Sequence, residues 1–394
     1  MSHLLSARQF WKKLAWYPPA ETKIPLRSIL SAFFSSNGDF GQALCNYLGV
    51  EKCILGNSGR ALLALLLNAL WEKDGKKRDQ VLIPAYTCYS VAGSVVRAGL
   101  KVNVYDLDSG SFNPDLDDLK RKIGTQTLAV ICQHLFGIPS ETRELIDIAK
   151  RNGSYVIEDV AQALGGSEDE NPLGTLGDFG FFSFGRGKTL PLGSGGAMVG
   201  EDREIFAQVK VDDSRKGRVD LSSTLLTQLM SLPFLYGIPE NLPIGLGKTI
   251  FDPKFAVSQM PERIQYLGEK CICYMESLNG HRRTIGRKYY GLFGDHGTLR
   301  VQRASEPVYT RFPLMAGRNS LSRELMKLGV RRMYPNAIAD EQTIKSYLAD
   351  PESRTPGASE IARHLITLPT HTGISENLAK QIAEKVRDHY HISQ

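Results

Sequence analysis

Between residues 50 and 200, short apolar runs alternate with stretches of helical periodicity, and this alternation predicts an architecture. Cys53-Ile54-Leu55 reads as a strand. The ALLALLLNALW that follows is apolar nearly all round, which predicts a buried helix capped by Asn57 or Ser58. Val81-Leu82-Ile83 predicts a second strand, then a turn at Pro84 and a helix ending near Gly99. Lys101 to Tyr105 reads as a strand, Asp115 to Ile123 as a helix and Leu128 to Cys132 as another strand. Ser140 is expected to open the helix ETRELIDIAKR, with Gly153 as its stop. Val156-Ile157, closed by Asp159, and Phe179 to Phe184 are two further runs of strand length. Strands joined by helices in this way make a mostly parallel sheet with helices on both faces, and such sheets hold ligands at the carboxyl ends of their strands. Ser58, Pro84, His134, Asp159 and Ser183 all fall at or just past a predicted strand end.

From Glu262 the pattern changes. One long polar helix, ERIQYLGEKCICYMESLNGHRRTIGRKYYGLF, leads into a compact α+β segment. The last helix, SENLAKQIAEKVRDHY, places Leu378, Ile382 and Val386 at four-residue intervals on one stripe. The expected organisation is an N-terminal extension at 1–23, a large domain at 24–260 and a small C-terminal α+β domain at 261–394. The large domain carries an apolar insertion at about 221–247. Leu225 to Leu246 is broken by Pro233, Pro239, Glu240 and Pro243, so it does not span a bilayer. Two readings of the insertion stay open. It packs on a partner subunit, or it forms a greasy lid or wall over a substrate, helped at a membrane surface by the basic-apolar segment Leu4 to Trp16.

At 394 residues, 42% hydrophobic and 23% charged, the chain has the composition of a globular protein with a large core. A net charge of +6 is small for this length, and no run of like charge suggests a nucleic-acid arm. Lys76-Lys77-Arg78 and His281-Arg282-Arg283 are expected on solvated surface, and Arg331-Arg332 to help hold a phosphorylated or carboxylated substrate. The six cysteines form no CxxC pair and suggest no metal site, so a reducing, cytoplasmic setting is expected. Arg8, Lys12 and Lys13 interrupt the N-terminus before a signal-peptide core can form.

Candidate chemistry lies between Tyr155 and Gly200. Asp159 ends one strand, and Lys188 follows another inside a glycine-rich loop. An amine for a Schiff base and a carboxylate to keep a pyridine nitrogen protonated are what pyridoxal phosphate (PLP) requires. GRGKT is not a nucleotide-triphosphate loop, because Phe182 stands where that motif needs glycine. Strand alternation lets only one of Glu158 and Asp159 face the ligand, and Gln162 shares a helical face with Asp159. Ser58 and Gly59 at a helix start form an anion site or a plain N-cap.

NSGRAL, PAYTCYSVAGSVVRAG, YDLDSGSFN, HLFGIP, IEDVAQALGG, LGDFGFFSF and LPTHTGIS, in this order, resemble segments of the DegT/StrS family of fold-type-I PLP aminotransferases. The resemblance runs from about Ile24 to His389. It implies an α/β fold-type-I architecture, a homodimer, and transfer of an amino group from an amino-acid donor, usually glutamate, to a keto group on a nucleotide-linked sugar. It also implies Lys188 as the Schiff-base residue, Asp159 on the pyridine nitrogen and Gln162 beside the ring hydroxyl. Ser183 and the backbone at Gly59-Arg60 take the phosphate, and His134 and Tyr334 lie on the substrate side. There are three departures. Arg60 replaces a threonine and is expected to add a charged phosphate contact. Cys88 stands where an aromatic usually stacks on the cofactor, so the stack falls to Tyr86 or Tyr89 or is lost. The family's G-x-N-Y-R segment is replaced by LGKTIFDPKF. A lipid-linked or other apolar ketone, a PLP-dependent sugar dehydratase and a silent PLP-binding protein are the alternatives. Dehydratases of this kind carry histidine where Lys188 stands.

Overall fold

The computed structural model describes residues 15–211, 221–240, 250–302 and 304–392. Most of the Leu4–Trp16 segment, the insertion beyond residue 240 and the first residues of LGKTIFDPKF lie outside the described residues.

The central sheet has seven strands in the order β1-β9-β8-β5-β4-β2-β3. These are β1 (Cys53–Gly56), β2 (Gln80–Pro84), β3 (Lys101–Tyr105), β4 (Thr127–Gln133), β5 (Tyr155–Asp159), β8 (Phe179–Ser183) and β9 (Gly196–Gly200). Only β9 runs antiparallel to its neighbours, so the sheet is mostly parallel, as the alternation predicts. Strands β6 (Ser167–Glu168), β7 (Asn171–Pro172) and β10 (Ser305–Glu306) form a small sheet, and β11 (Phe312–Met315) pairs with β12 (Leu365–Leu368). β4 is buried at every position, the mark of a strand covered on both faces. In β8, Phe179 and Phe181 join one apolar cluster and Phe182 joins the other, so a single strand supplies both layers. No described helix is long and apolar enough to cross a membrane.

Three sequence expectations change. The long polar helix is two, Glu262–Ile272 and Met275–Phe293. The first packs on the helices Leu26–Phe34 and Phe40–Leu48 and the second on the C-terminal helix Glu376–Tyr390, so serving two partners requires a change of direction. In that C-terminal helix the buried stripe is Ala379, Ile382, Ala383, Val386 and Tyr390, while Leu378 is only half-buried, because a period of 3.6 drifts off a four-residue spacing. Ser140 does not cap the helix Thr142–Arg151; its backbone N–H donates instead to His134 Nδ1 at 3.1 Å.

That last bond belongs to a buried network. Because His134 Nδ1 accepts, Nε2 carries the proton and donates to Glu158 Oε2 at 3.0 Å. The Glu158 carboxylate also accepts from Leu176 N (2.7 Å), Gly177 N (2.8 Å) and Gly174 N (2.8 Å). Four donors fix the turn that leads into β8. Residues Trp16 to Ile24 cross the molecule as a strap. Trp16 N donates to Pro233 O and Tyr17 N to Lys327 O, both at 2.7 Å, and Pro18 O accepts from His371 Nε2 at 2.8 Å.

Glu158→Gln tests the network. In either amide orientation an NH2 group faces N–H donors, so the variant is expected to lose on the order of 3 kcal/mol in urea unfolding. A loss below about 0.5 kcal/mol, the level of an ordinary surface substitution, would show that the network carries little.

Candidate active site

Ser58, Gly59, Arg60, Cys88, His134, Asp159, Gln162, Ser183, Lys188 and Tyr334 all border one cavity of about 240 Å³. The strand order causes this convergence, since the turns after β1, β4, β5 and β8 open on the same edge of the sheet. Ser58 is extended and its Oγ accepts from Ala61 N at 3.3 Å, so it is the N-cap of the helix Gly59–Lys73. That helix turns its positive end toward the cavity, beside Ser183. Only glycine fits at 59 and 196. A Cβ on Gly59 would lie 2.7 Å from Phe182 O, and one on Gly196 would lie 2.2 Å from Gly59 N.

Asp159 accepts one hydrogen bond, from Ala161 N at 3.0 Å. Burial raises its carboxyl above the usual range, and the Ala161 bond and the charges of Lys188 and His134 pull it back only in part. It therefore lacks a cationic neighbour at full strength. Lys188 follows Gly185 and Gly187, and its N–H donates to Gly185 O at 3.3 Å. The residue after it is held from behind by Arg282, which donates to Thr189 O (2.9 Å), Asn279 Oδ1 (2.6 Å) and Thr22 Oγ1. Arg282 was expected on solvated surface. It is instead fully buried and desolvation lowers its pKa to about 10, because it ties the strap, the lysine loop and the helix Met275–Phe293 together.

The surroundings of these residues are specific. The Arg60 guanidinium lies over the Phe255 ring, 4.8 Å from its centroid, while Arg60 also borders the cavity. Tyr86 is wholly buried behind Tyr334, with centroids 5.4 Å apart, and neither Tyr86 nor Tyr89 borders the cavity. Cys88 and Tyr334 are what the wall presents instead. His134 touches the cavity, but both ring nitrogens are engaged. Gln162 is clamped, its Nε2 donating to Tyr334 OH at 3.1 Å and its Oε1 accepting from Phe136 N at 3.3 Å. Thr87 and Gln133 also border the cavity and were not foreseen. Among the described residues the buried Thr87 hydroxyl has no partner, so it can bond a ligand; its place in PAYTCYS gives no sign of this.

A second cavity, of about 270 Å³, adjoins the first and shares Cys88, Gln162, Lys188 and Tyr334 with it. The strap (Pro18 to Glu21), the insertion (Tyr236 and Glu240), Arg186, Arg311 and Arg331-Arg332 complete its wall. The expected greasy wall is therefore polar on its cavity side. Glu240 reaches in to pair with Arg331 at 2.6 Å, while Leu226, Leu229, Phe234 and Ile238 face outward.

The family model that matches this chain, over residues 27–225 and thus just over half of it, is that of the DegT/DnrJ/EryC1/StrS aminotransferases. The chain belongs to this family. GDP-perosamine synthase of Escherichia coli O157:H7 is 30% identical over 180 residues, 45% of this chain and 49% of that protein. A pleiotropic regulatory protein of Geobacillus stearothermophilus is 26% identical over 317 residues, 79% of this chain and 78% of that one. The chain spans about half the length of the first curated relatives it matches. The fold matches that of a putative sugar aminotransferase from Streptococcus pneumoniae in its PLP form, with a TM-score of 0.74 at 20% identity over 95% of this chain and 99% of the other.

In this family member, Glu21 offers a pH test. Burial raises its carboxyl to about 7, against the pull of Arg186 and Arg311. A carboxyl whose folded pKa lies above its unfolded 4.5 binds more protons in the native state. Its contribution to stability is therefore fully present below pH 4.5 and is lost as pH rises through about 7. Between pH 5 and 8 the native protein should lose roughly 2.5 kcal/mol from this group, and Glu21→Gln should not. Superimposable stability–pH curves for the two proteins would exclude the shift.

Proposed function

We propose that this protein is a PLP-dependent aminotransferase that moves an amino group from an amino-acid donor, glutamate by family resemblance, to a keto group on a nucleotide-linked sugar. One observation carries the reading: a single cavity holds a lysine, a desolvated carboxylate and a helix N-terminus. These residues fit the cofactor. The helix start at Gly59-Arg60 and Ser183 suit its phosphate, Asp159 its ring nitrogen and Lys188 its carbonyl carbon, and the partnerless Thr87 hydroxyl gains an acceptor. When bound, PLP supplies an electron sink for charge left on the donor's α-carbon. Asp159 would hold a positive ring nitrogen in place, and that cation would offset the cost of burying the carboxylate. With the cofactor and donor bound, the Lys188 amine would be the base positioned to accept the donor's α-proton on Nζ. Gln162, clamped at both ends, keeps a fixed amide beside the ring. The polar wall of the second cavity weakens the case for an apolar ketone.

Borohydride reduction of the purified protein followed by peptide mapping should find a pyridoxyl group on Lys188. Asp159→Asn should keep that adduct and slow the donor half-reaction by about a hundredfold, the scale of one preorganised charge. An adduct on another lysine, or an asparagine variant of normal rate, would sink the assignment.

We also propose a cytoplasmic homodimer. The six cysteines are unbridged, which suits a reducing compartment. Leu226, Leu229, Phe234 and Ile238 are exposed, as are Leu26, Leu30 and Phe34 on the helix Leu26–Phe34 that packs against the insertion. An apolar surface of this kind is what a partner subunit covers. The proposed domain division near residue 260 has support in the separate β11–β12 sheet, although the helix Glu262–Ile272 still packs with the earlier helices. Leu229→Ser combined with Phe234→Ser should shift the protein to monomer in sedimentation. An unchanged dimer would place the interface elsewhere.

A further inference from the structure

The second cavity holds charge that the exchange chemistry leaves unused. Its arginines have different fates. Arg331 is neutralised by Glu240 at 2.6 Å. Arg332 spends its N–H groups on the carbonyls of Arg363, Gly317 and Asn319. Arg311 has, among the described residues, only a long bond to Thr367 Oγ1 at 3.4 Å and no carboxylate at ion-pair distance. Its guanidinium is desolvated, which lowers its pKa to about 10 and still leaves it charged at neutral pH. A half-buried guanidinium on a cavity wall, with donors unspent, suits a carboxylate or a phosphate.

Glu21, on the same wall, is the carboxylate whose charge acts on Arg311, and it does not meet that need. It feels the charges of Arg186 and Arg311, yet its side-chain bond is to Gln228 Nε2 at 3.4 Å. With its carboxyl raised to about 7, Glu21 is roughly half protonated near neutral pH and cancels about half of one charge. Arg186 and Arg311 together therefore leave the cavity positive. The cavity is also in the right place, because Lys188, Gln162, Cys88 and Tyr334 border both compartments and one molecule can reach from one into the other.

Resting on the reading of Lys188 as the residue that exchanges amines, we propose that this cavity is the anion subsite of the exchange, where Arg311, with Arg186 beside it, takes the acidic group of the molecule whose reacting end lies at Lys188. Two sources carry that chemistry: the far carboxylate of a dicarboxylic amino donor and the phosphate of a nucleotide-linked acceptor. Glu21 competes with either for the guanidinium and yields when an anion enters. The Glu240–Arg331 pair fixes the insertion as the outer wall, so the opening is sized by a segment packed over the site rather than by the sheet.

The test is calorimetric titration of the holoenzyme with glutarate, which has two carboxylates and no amine, and with inorganic phosphate. Arg311→Gln should weaken at least one probe by about tenfold or more, and Arg311→Lys should recover part of that loss. Loss for glutarate identifies the donor as the source, and loss for phosphate identifies the acceptor. Glu21→Gln should tighten the same probe several-fold, and it decides the matter if the Arg311 variants do not fold. The proposal is overturned if the wild-type protein binds neither probe, if Arg311→Gln binds both unchanged, or if Glu21→Gln fails to tighten either. Failure of the wild-type holoenzyme to exchange an amine with any amino acid would refute the aminotransferase reading instead, and the glutarate and phosphate titrations would still report on the subsite.

Discussion

A carboxylate carried into a sheet must be met by donors, and Glu158 is met by four: three backbone amides of the turn before β8 and the imidazole of His134. This one requirement sets much of the geometry around it. It ties β5 to the turn ahead of β8 and orients His134, whose other nitrogen holds Ser140 N. Because side chains alternate along a strand, anchoring Glu158 on one side commits Asp159 to the cavity on the other. The acid of the proposed active site is aimed by a neighbour that takes no part in the chemistry.

The strands were readable because strands covered on both faces become continuous apolar runs, and β4 and β8 are such runs. The lysine and the acid were readable because the chemistry demands both and glycines flank the lysine. What could not be read depends on partners far away in the chain. Nothing in HRRTIG marks Arg282 as buried; its burial follows from meeting Thr22 and Thr189. Nothing in VYTRFPLM marks Arg311 as short of a partner, since that depends on where Glu21 and the insertion lie. Nothing in NSGRAL marks Arg60 as stacked on a ring; that contact depends on where Phe255 lies.

The two cavities divide the labour in a way that matches their construction. The first is lined mainly by turns of the central sheet, which strand pairing on both sides holds rigid. The second is walled by the strap, the insertion and the segment around β11. Chemistry common to a family belongs on the rigid part, and choice of substrate belongs on the appended part, where a change of sequence does not disturb the sheet.

The strap comes early in the chain, and its partners come late. Trp16 waits for Pro233, Thr22 for Arg282, Tyr17 for Lys327 and Pro18 for His371. β1 likewise waits for β9, its neighbour in the sheet but the last strand of that sheet to be made. During synthesis these contacts cannot close until most of the chain has left the ribosome, and each closes a long loop. The lysine loop, braced by Arg282 against the strap, is therefore set only after the protein is nearly complete. A nascent chain holds no finished pocket, and the arginines that will line it are still in water.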